Sequence, residues 1–169
     1  ELIDWRRLLR YSTRQNEEWT RKNVIMRNGF FRYKLNENPS IESEILLDVS
    51  GSVNEELLKN FLRECKNILN TSNVKVGCFN TKFYGFNKLR RMEDIDKMEF
   101  TIGGGTDFNI AVNSFSKNAT NKIIFTDGES FMPKANGNGV IWVVYGDKKI
   151  NPKGGKVINI PYEQLKNLS

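Results

Sequence analysis

Three short polar clusters carry residue types that hold a hard cation. DVSGS sets the carboxylate of Asp48 two and four residues ahead of the hydroxyls of Ser50 and Ser52. GGGTD ends in Thr106 and Asp107, and TDGES presents Asp127, Gly128 and Glu129. The chain has no histidine among its 169 residues. That removes Ser-His-Asp and Cys-His nucleophile systems and the HExxH zinc site. A metal held here takes oxygen ligands, which favours Mg2+, with Mn2+ and Ca2+ as the other hard cations. Cys65 and Cys78 lie among apolar neighbours without zinc-type spacing and read as buried free thiols.

Taken singly, each cluster has an ordinary explanation. An Asp often ends a strand, Thr-Asp after glycines is a helix cap, and TDG is a turn. Their positions along the chain join them. The apolar runs ILLDV, IIFTD and VIWVVY read as strands covered on both sides. The pattern predicts strands over 44–48, 74–79, 82–86, 122–126, 140–145 and 156–160. The second and third of these are close enough for a hairpin. Helices are expected over 2–15, 54–70, 93–98 and 107–116, with a last helical turn at the C-terminus. Asn54 caps the second helix, and Glu55 and Glu56 suit its positive end. The alternation predicts an α/β, Rossmann-like doubly wound sheet, mostly parallel with one antiparallel edge strand and helices on both faces. In such sheets ligands bind beyond the C-terminal strand ends, near the switch in strand order. DVSGS and TDGES follow predicted central strands, and GGGTD opens a helix.

The length suits one domain with a full core. No apolar run is long enough to span a bilayer and no signal peptide opens the sequence, so a cytoplasmic location is expected. The first residue is Glu1, so a longer parent is expected. The net charge of +6 is uneven: residues 1–34 hold nine Lys/Arg against four Asp/Glu, and the rest hold 17 against 16. We therefore divide the chain into a basic N-terminal segment, residues 1–40, and a body, residues 41–169. The segment has two readings. In one, Trp5, Leu8 and Leu9 pack on the body and the arginines face water. In the other, Arg6, Arg7, Arg10, Arg14, Arg21, Lys22, Arg27 and Arg32 meet an acidic partner or nucleic acid, with Trp19, Phe30, Phe31 and Tyr33 available to stack. No RNA-binding motif accompanies them.

The order of the three clusters resembles the von Willebrand factor type A (VWA) domain and its metal-ion-dependent adhesion site. That site reads D-x-S-x-S after one strand, a Thr in a second loop and an Asp after a later strand. Asp48, Ser50, Ser52, Thr106 and Asp127 fill those five positions. With DWRRLLR, GGGTD and IWVVYG included, the sequence is similar to bacterial VWA-like domains that follow a zinc-peptidase-like region and are encoded beside MoxR-type AAA+ ATPases. The resemblance implies that Ser50 and Ser52 ligate directly and that Thr106 does so in one state. Asp48 and Asp127 act mainly through water. The metal then presents an open position to a partner's Asp or Glu, with Gly104, Gly105, Glu129 and Ser130 at the contact. It also departs from integrin-type domains, since residues 128–139 show no helix.

Several assignments stay open at the level of sequence. Asp107 is either the cap of its helix or an outer member of the metal shell, with Gly128 and Glu129 beside it. Glu129 is also readable as a solvated loop acid. Gly51 is expected to let the first loop turn tightly. The leading function is a non-enzymatic, Mg2+-dependent protein-binding module with no catalytic residues and no membrane or nucleic-acid partner. The alternative is a metal-dependent phosphoesterase or other hydrolase using a carboxylate cluster of Asp48, Asp107 and Asp127, with Glu129 nearby.

Overall fold

The computed structural model describes residues 4–27, 30–35, 40–51, 53–70 and 72–165, and for 21–27 and 30–35 the backbone alone. Helix α1 (Trp5–Arg21) leads into an antiparallel ribbon of β1 (Lys22–Arg27) and β2 (Phe30–Leu35). The body follows as β3 (Glu42–Asp48), α2 (Glu55–Ile68), β4 (Asn73–Phe79), β5 (Phe83–Leu89), α3 (Met92–Asp96) and α4 (Phe108–Ser114). It continues with β6 (Asn121–Thr126), β7 (Val140–Tyr145), β8 (Lys156–Ile160) and α5 (Tyr162–Leu165). Six strands form one sheet in the order β5-β4-β3-β6-β7-β8. All its neighbours run parallel except β5, which turns back on β4 at the edge. This is the doubly wound α/β sheet that the alternation predicts.

The pleat of β3 divides the core. Ile45 and Leu47 face Leu58, Phe61, Leu62 and Cys65 of α2 and Trp5 and Leu9 of α1. Leu46 points the other way, into a layer with Ile124, Trp142 and Val144 of the sheet and Phe108 and Ala111 of α4. Helix α4 is only seven residues long. Met132 and Ile150, from the loops after β6 and β7, pack against that second layer and extend its cover. The absence of a helix across residues 128–139 agrees with the sequence reading.

Helix α1 belongs to the first layer. Its Trp5 ring lies 5.7 Å from that of Phe61, which stacks on Phe125 at 3.9 Å. A chain of hydrogen bonds continues the attachment: Asn16 Nδ2 donates to Asn121 Oδ1, Asn121 Nδ2 to Ser43 Oγ, Ser43 Oγ to Ser72 Oγ, and Ser72 Oγ to the Leu69 carbonyl. It runs from α1 through β6 and β3 to the end of α2. The helix extends six residues past its predicted end, because Asn16 continues the attached face in polar form. Thr20 Oγ1 donates to the Asn16 carbonyl. Arg6 pairs with Glu64 at 3.1 Å, while Arg7, Arg10, Arg14 and Trp19 are exposed. The side chains of Arg21, Lys22, Arg27, Phe30, Phe31, Arg32 and Tyr33 lie outside the described residues.

Helix α4 stops two residues short of expectation. The buried Glu44 carboxylate accepts from the Ser116 N–H and hydroxyl, both at 2.7 Å, and Phe115 is extended. Those bonds draw the chain away from the helix and toward the start of β6. Strand β5 runs to Leu89, not to residue 86. Asn87 and Lys88 are polar and exposed on the open edge, where no apolar alternation marks a strand.

Candidate metal centre

Helix α2 carries the chain from β3 to β4 on one side, whereas β6 lies on the other. The C-terminal ends of β3 and β6 therefore flank the switch point of the sheet, the place where ligands bind in sheets of this kind. Asp48 ends β3, and Thr126 ends β6 with Asp127 next.

Three loops meet there through hydrogen bonds to backbone carbonyls. Gly103 N–H donates to the Val49 carbonyl at 2.9 Å, and Gly51 N–H to the Gly104 carbonyl at 3.2 Å. These join the first loop to the second. Ser130 Oγ donates to the Thr106 carbonyl at 2.8 Å, joining the third to the second. Asn54 begins α2 by accepting the Glu56 N–H at 2.9 Å, as its position before two glutamates predicts.

Asp48 is the centre of the cluster and is 1% exposed. Its Oδ1 accepts the Ser50 N–H at 2.9 Å and lies 3.4 Å from Thr106 Oγ1. Its Oδ2 accepts the Thr126 hydroxyl at 2.6 Å. Burial pushes the Asp48 carboxyl above its usual range, against the pull of the Thr126 hydroxyl and the Ser50 N–H and hydroxyl; the Asp127 carboxylate pushes it up further. Tyr145 stacks near Phe125 below, and burial raises its hydroxyl too, followed by the charges of Asp127 and Asp48. Asp48, Ser50, Thr106 and Asp127 thus come together. Ser52 lies outside the described residues.

This donor set fits a hard divalent cation. Asp48 is a buried carboxylate held by neutral donors and pressed by a second carboxylate, the situation a cation compensates. The hydroxyls of Ser50 and Thr106 and the carboxylate of Asp127 are oxygen donors of the kind Mg2+ accepts. They would hold the ion beyond the C-terminal ends of β3 and β6, where it would offer a Lewis-acidic position.

Asp107 does not join them. Its Oδ1 accepts the Asn109 N–H at 2.9 Å and caps α4. Glu129 is exposed, and its N–H donates to Asp127 Oδ1 at 3.0 Å. Among the described residues no three carboxylates or thiols gather to hold a metal. The carboxylate cluster of Asp48, Asp107 and Asp127 on which the hydrolase alternative rests is therefore not formed, because the cap takes Asp107 away. The expectation for Gly51 also changes. Its φ is not positive, and an added Cβ would come no nearer than 3.8 Å to the Gly104 carbonyl. Positive φ falls instead on Gly104, at +76°, and on Gly128, at +79°, where a Cβ would lie 3.0 Å from Ile150 Cγ2. Gly128→Ala should cost about 1–3 kcal/mol; urea unfolding read by circular dichroism checks it.

Two positioning residues escape the sequence reading. Thr126 holds Asp48 while its hydroxyl accepts the Gly128 N–H at 3.0 Å, so it braces two loops at once. Its only signal is its place before Asp127 at a strand end. Asn80, after β4, reads as a turn residue. In the structure its Nδ2 donates to the Gly103 carbonyl at 3.1 Å, and its own carbonyl accepts the Asp107 N–H at 2.9 Å. Its Oδ1 accepts from Lys82 N–H and the Tyr84 hydroxyl. It therefore fixes both ends of the loop that bears Thr106. Asn80→Ala should weaken Mn2+ binding about tenfold with the fold retained, as loss of an outer-shell partner does; calorimetric titration measures it.

A mostly parallel sheet with hydroxyl-bearing and acidic loops at its switch point defines the VWA class of domain. Residues 44–161 match the VWA-like domain (DUF2201), and the chain belongs to that family. No protein of curated function matches it. Among solved structures it is similar to an aerotolerance-related membrane protein from Bacteroides fragilis NCTC 9343, in a form with multiple mutations to serines. The identity is 16%, over 76% of this chain and 96% of that one, with a TM-score of 0.47. Among the described residues of the present chain, no helix is long and apolar enough to cross a membrane.

Proposed function

We propose that the chain is a non-enzymatic module that binds a partner protein through a divalent cation, Mg2+ in the first place, with Mn2+ or Ca2+ as substitutes. Ser50, Ser52 and Thr106 supply hydroxyl ligands, and Asp48 and Asp127 hold the ion's waters. With few direct carboxylates on it, the ion stays electrophilic and takes an Asp or Glu side chain from the partner. The partner belongs to an assembly with a MoxR-type AAA+ ATPase in the cytoplasm.

The observation that supports this reading is the buried Asp48 carboxylate at the sheet's switch point, held by hydroxyl and N–H donors and facing Asp127. A buried charge of this kind is costly without a compensating cation. The experiment is a binding assay with purified ATPase as the partner, in Mg2+ and in EDTA, for the wild-type chain and Ser50→Ala. Binding lost in EDTA and in the variant is the expected result. Equal binding under all four conditions sinks the cation bridge.

A further inference from the structure

Phe131 is the most exposed large apolar side chain among the described residues, at 94%. A lone exposed apolar residue is ordinary on a protein surface. Here its neighbours make it otherwise. On one side Ser130 is tied to the carbonyl of Thr106, itself a candidate ligand. On the other, Met132 packs into the core and Pro133 is buried. Two more bonds follow, from the Lys134 and Ala135 N–H groups to Asn109 Oδ1 at 2.9 and 3.3 Å. The chain is held before and after Phe131, and the ring is presented to water one residue from the metal loops. Little ordering entropy remains to be lost when this ring meets a partner, which is what an interface anchor requires.

The charges around it set the second half of the partner's chemistry. Lys148 packs its stem toward Gly128, and Lys82 and Lys149 lie on loops at the same end of the sheet, after β4 and β7. They are offset there by Asp127, Glu129 and Asp147. The loops there carry charges of both signs, and a divalent cation would add a fixed attraction for a carboxylate.

We propose that Phe131 is the apolar anchor of this site, and that the partner is a protein segment bearing an acidic residue with a bulky apolar side chain close beside it. The carboxylate goes to the cation, and the apolar side chain packs on the Phe131 ring. The proposal rests on the cation-bridge reading and adds to it the partner's local sequence chemistry.

The test is an array of synthetic twelve-residue peptides, each with one central Glu or Asp. The two residues on either side are apolar in one set and polar in the other. It is probed with the full chain as wild type, Phe131→Ser and Ser50→Ala, in Mg2+ and in EDTA. Expected is selection of the apolar-flanked peptides, lost about tenfold or more in Phe131→Ser. Mn2+ titration and melting temperature should stay unchanged in that variant. Retention of both peptide sets alike, with Phe131→Ser equal to wild type, overturns the anchor and leaves the cation bridge standing if EDTA still abolishes binding. Phe131-dependent binding that ignores EDTA and Ser50→Ala keeps the anchor and overturns the cation bridge. Retention of no peptide overturns the linear acidic segment as partner.

Discussion

Asp48→Asn should give a protein that is more stable without metal and weaker in holding it. The carboxylate is fully inside, and its burial raises its proton affinity in the folded chain. The sign follows from proton counting. Between the ordinary Asp value of 3.8 and the higher value in the folded chain, the native state holds a proton that the unfolded state has released. Stability of the metal-free protein therefore falls as pH rises through that window, and the cost is fully present above it. Asparagine keeps an acceptor for the Ser50 N–H and removes the charge. The Thr126 hydroxyl, which now donates to Asp48, turns to accept from the amide. In EDTA at neutral pH the variant should melt above wild type, and the difference should shrink on acidification. In Mg2+ or Mn2+ the order should reverse, since wild type gains more from the ion. Affinity should drop about 10- to 100-fold. Thermal melts across pH, with and without metal, measure both effects. A variant less stable than wild type in EDTA at every pH would show that Asp48 serves the fold and not a cation.

Phe61→Ala should be the most damaging single truncation in the first core layer. The ring is fully buried and stacks on Phe125 at 3.9 Å with planes 8° apart, while Trp5 covers it from α1. Removing it takes away a large buried surface and leaves a cavity under a helix that can only partly settle into it. A loss of about 3–5 kcal/mol follows. Because Trp5 rests on this ring, α1 should loosen more than the sheet. Urea unfolding gives the total. Hydrogen exchange should show α1 amides losing protection first, with β6 and β7 amides last. Uniform loss across all elements would mean that α1 is not a separately releasable layer.

The sheet was legible because its central strands are buried on both sides and so appear as unbroken apolar runs; β7 and β8 have the expected limits to the residue. Elements written in polar residues were harder. Asn16 and Thr20 continue α1 after its apolar stripe ends, and the Glu44 to Ser116 bonds that cut α4 short join residues 72 apart in sequence. At the centre, Asp48, Ser50, Thr106 and Asp127 stood out as polar residues at predicted element ends. Thr126 and Asn80 did not, because a threonine in a strand and an asparagine in a hairpin turn each have a complete local explanation. Their bonds to Asp48 and Gly103 exist only once β3, β4 and β6 lie side by side. The opposite error arose at Gly51, where a glycine in a motif suggested a conformational need that the backbone does not have.

The proposed centre is one divalent cation held by three loops, on the hydroxyls and carboxylates at the C-terminal ends of β3 and β6. Its most direct measurement is calorimetric titration of the full chain with Mn2+, followed by electron paramagnetic resonance of the bound ion. The expected result is one ion per chain in wild type and a loss of about tenfold or more in both Ser50→Ala and Asp48→Asn. No binding at millimolar Mn2+, or binding unchanged in both variants, would contradict it.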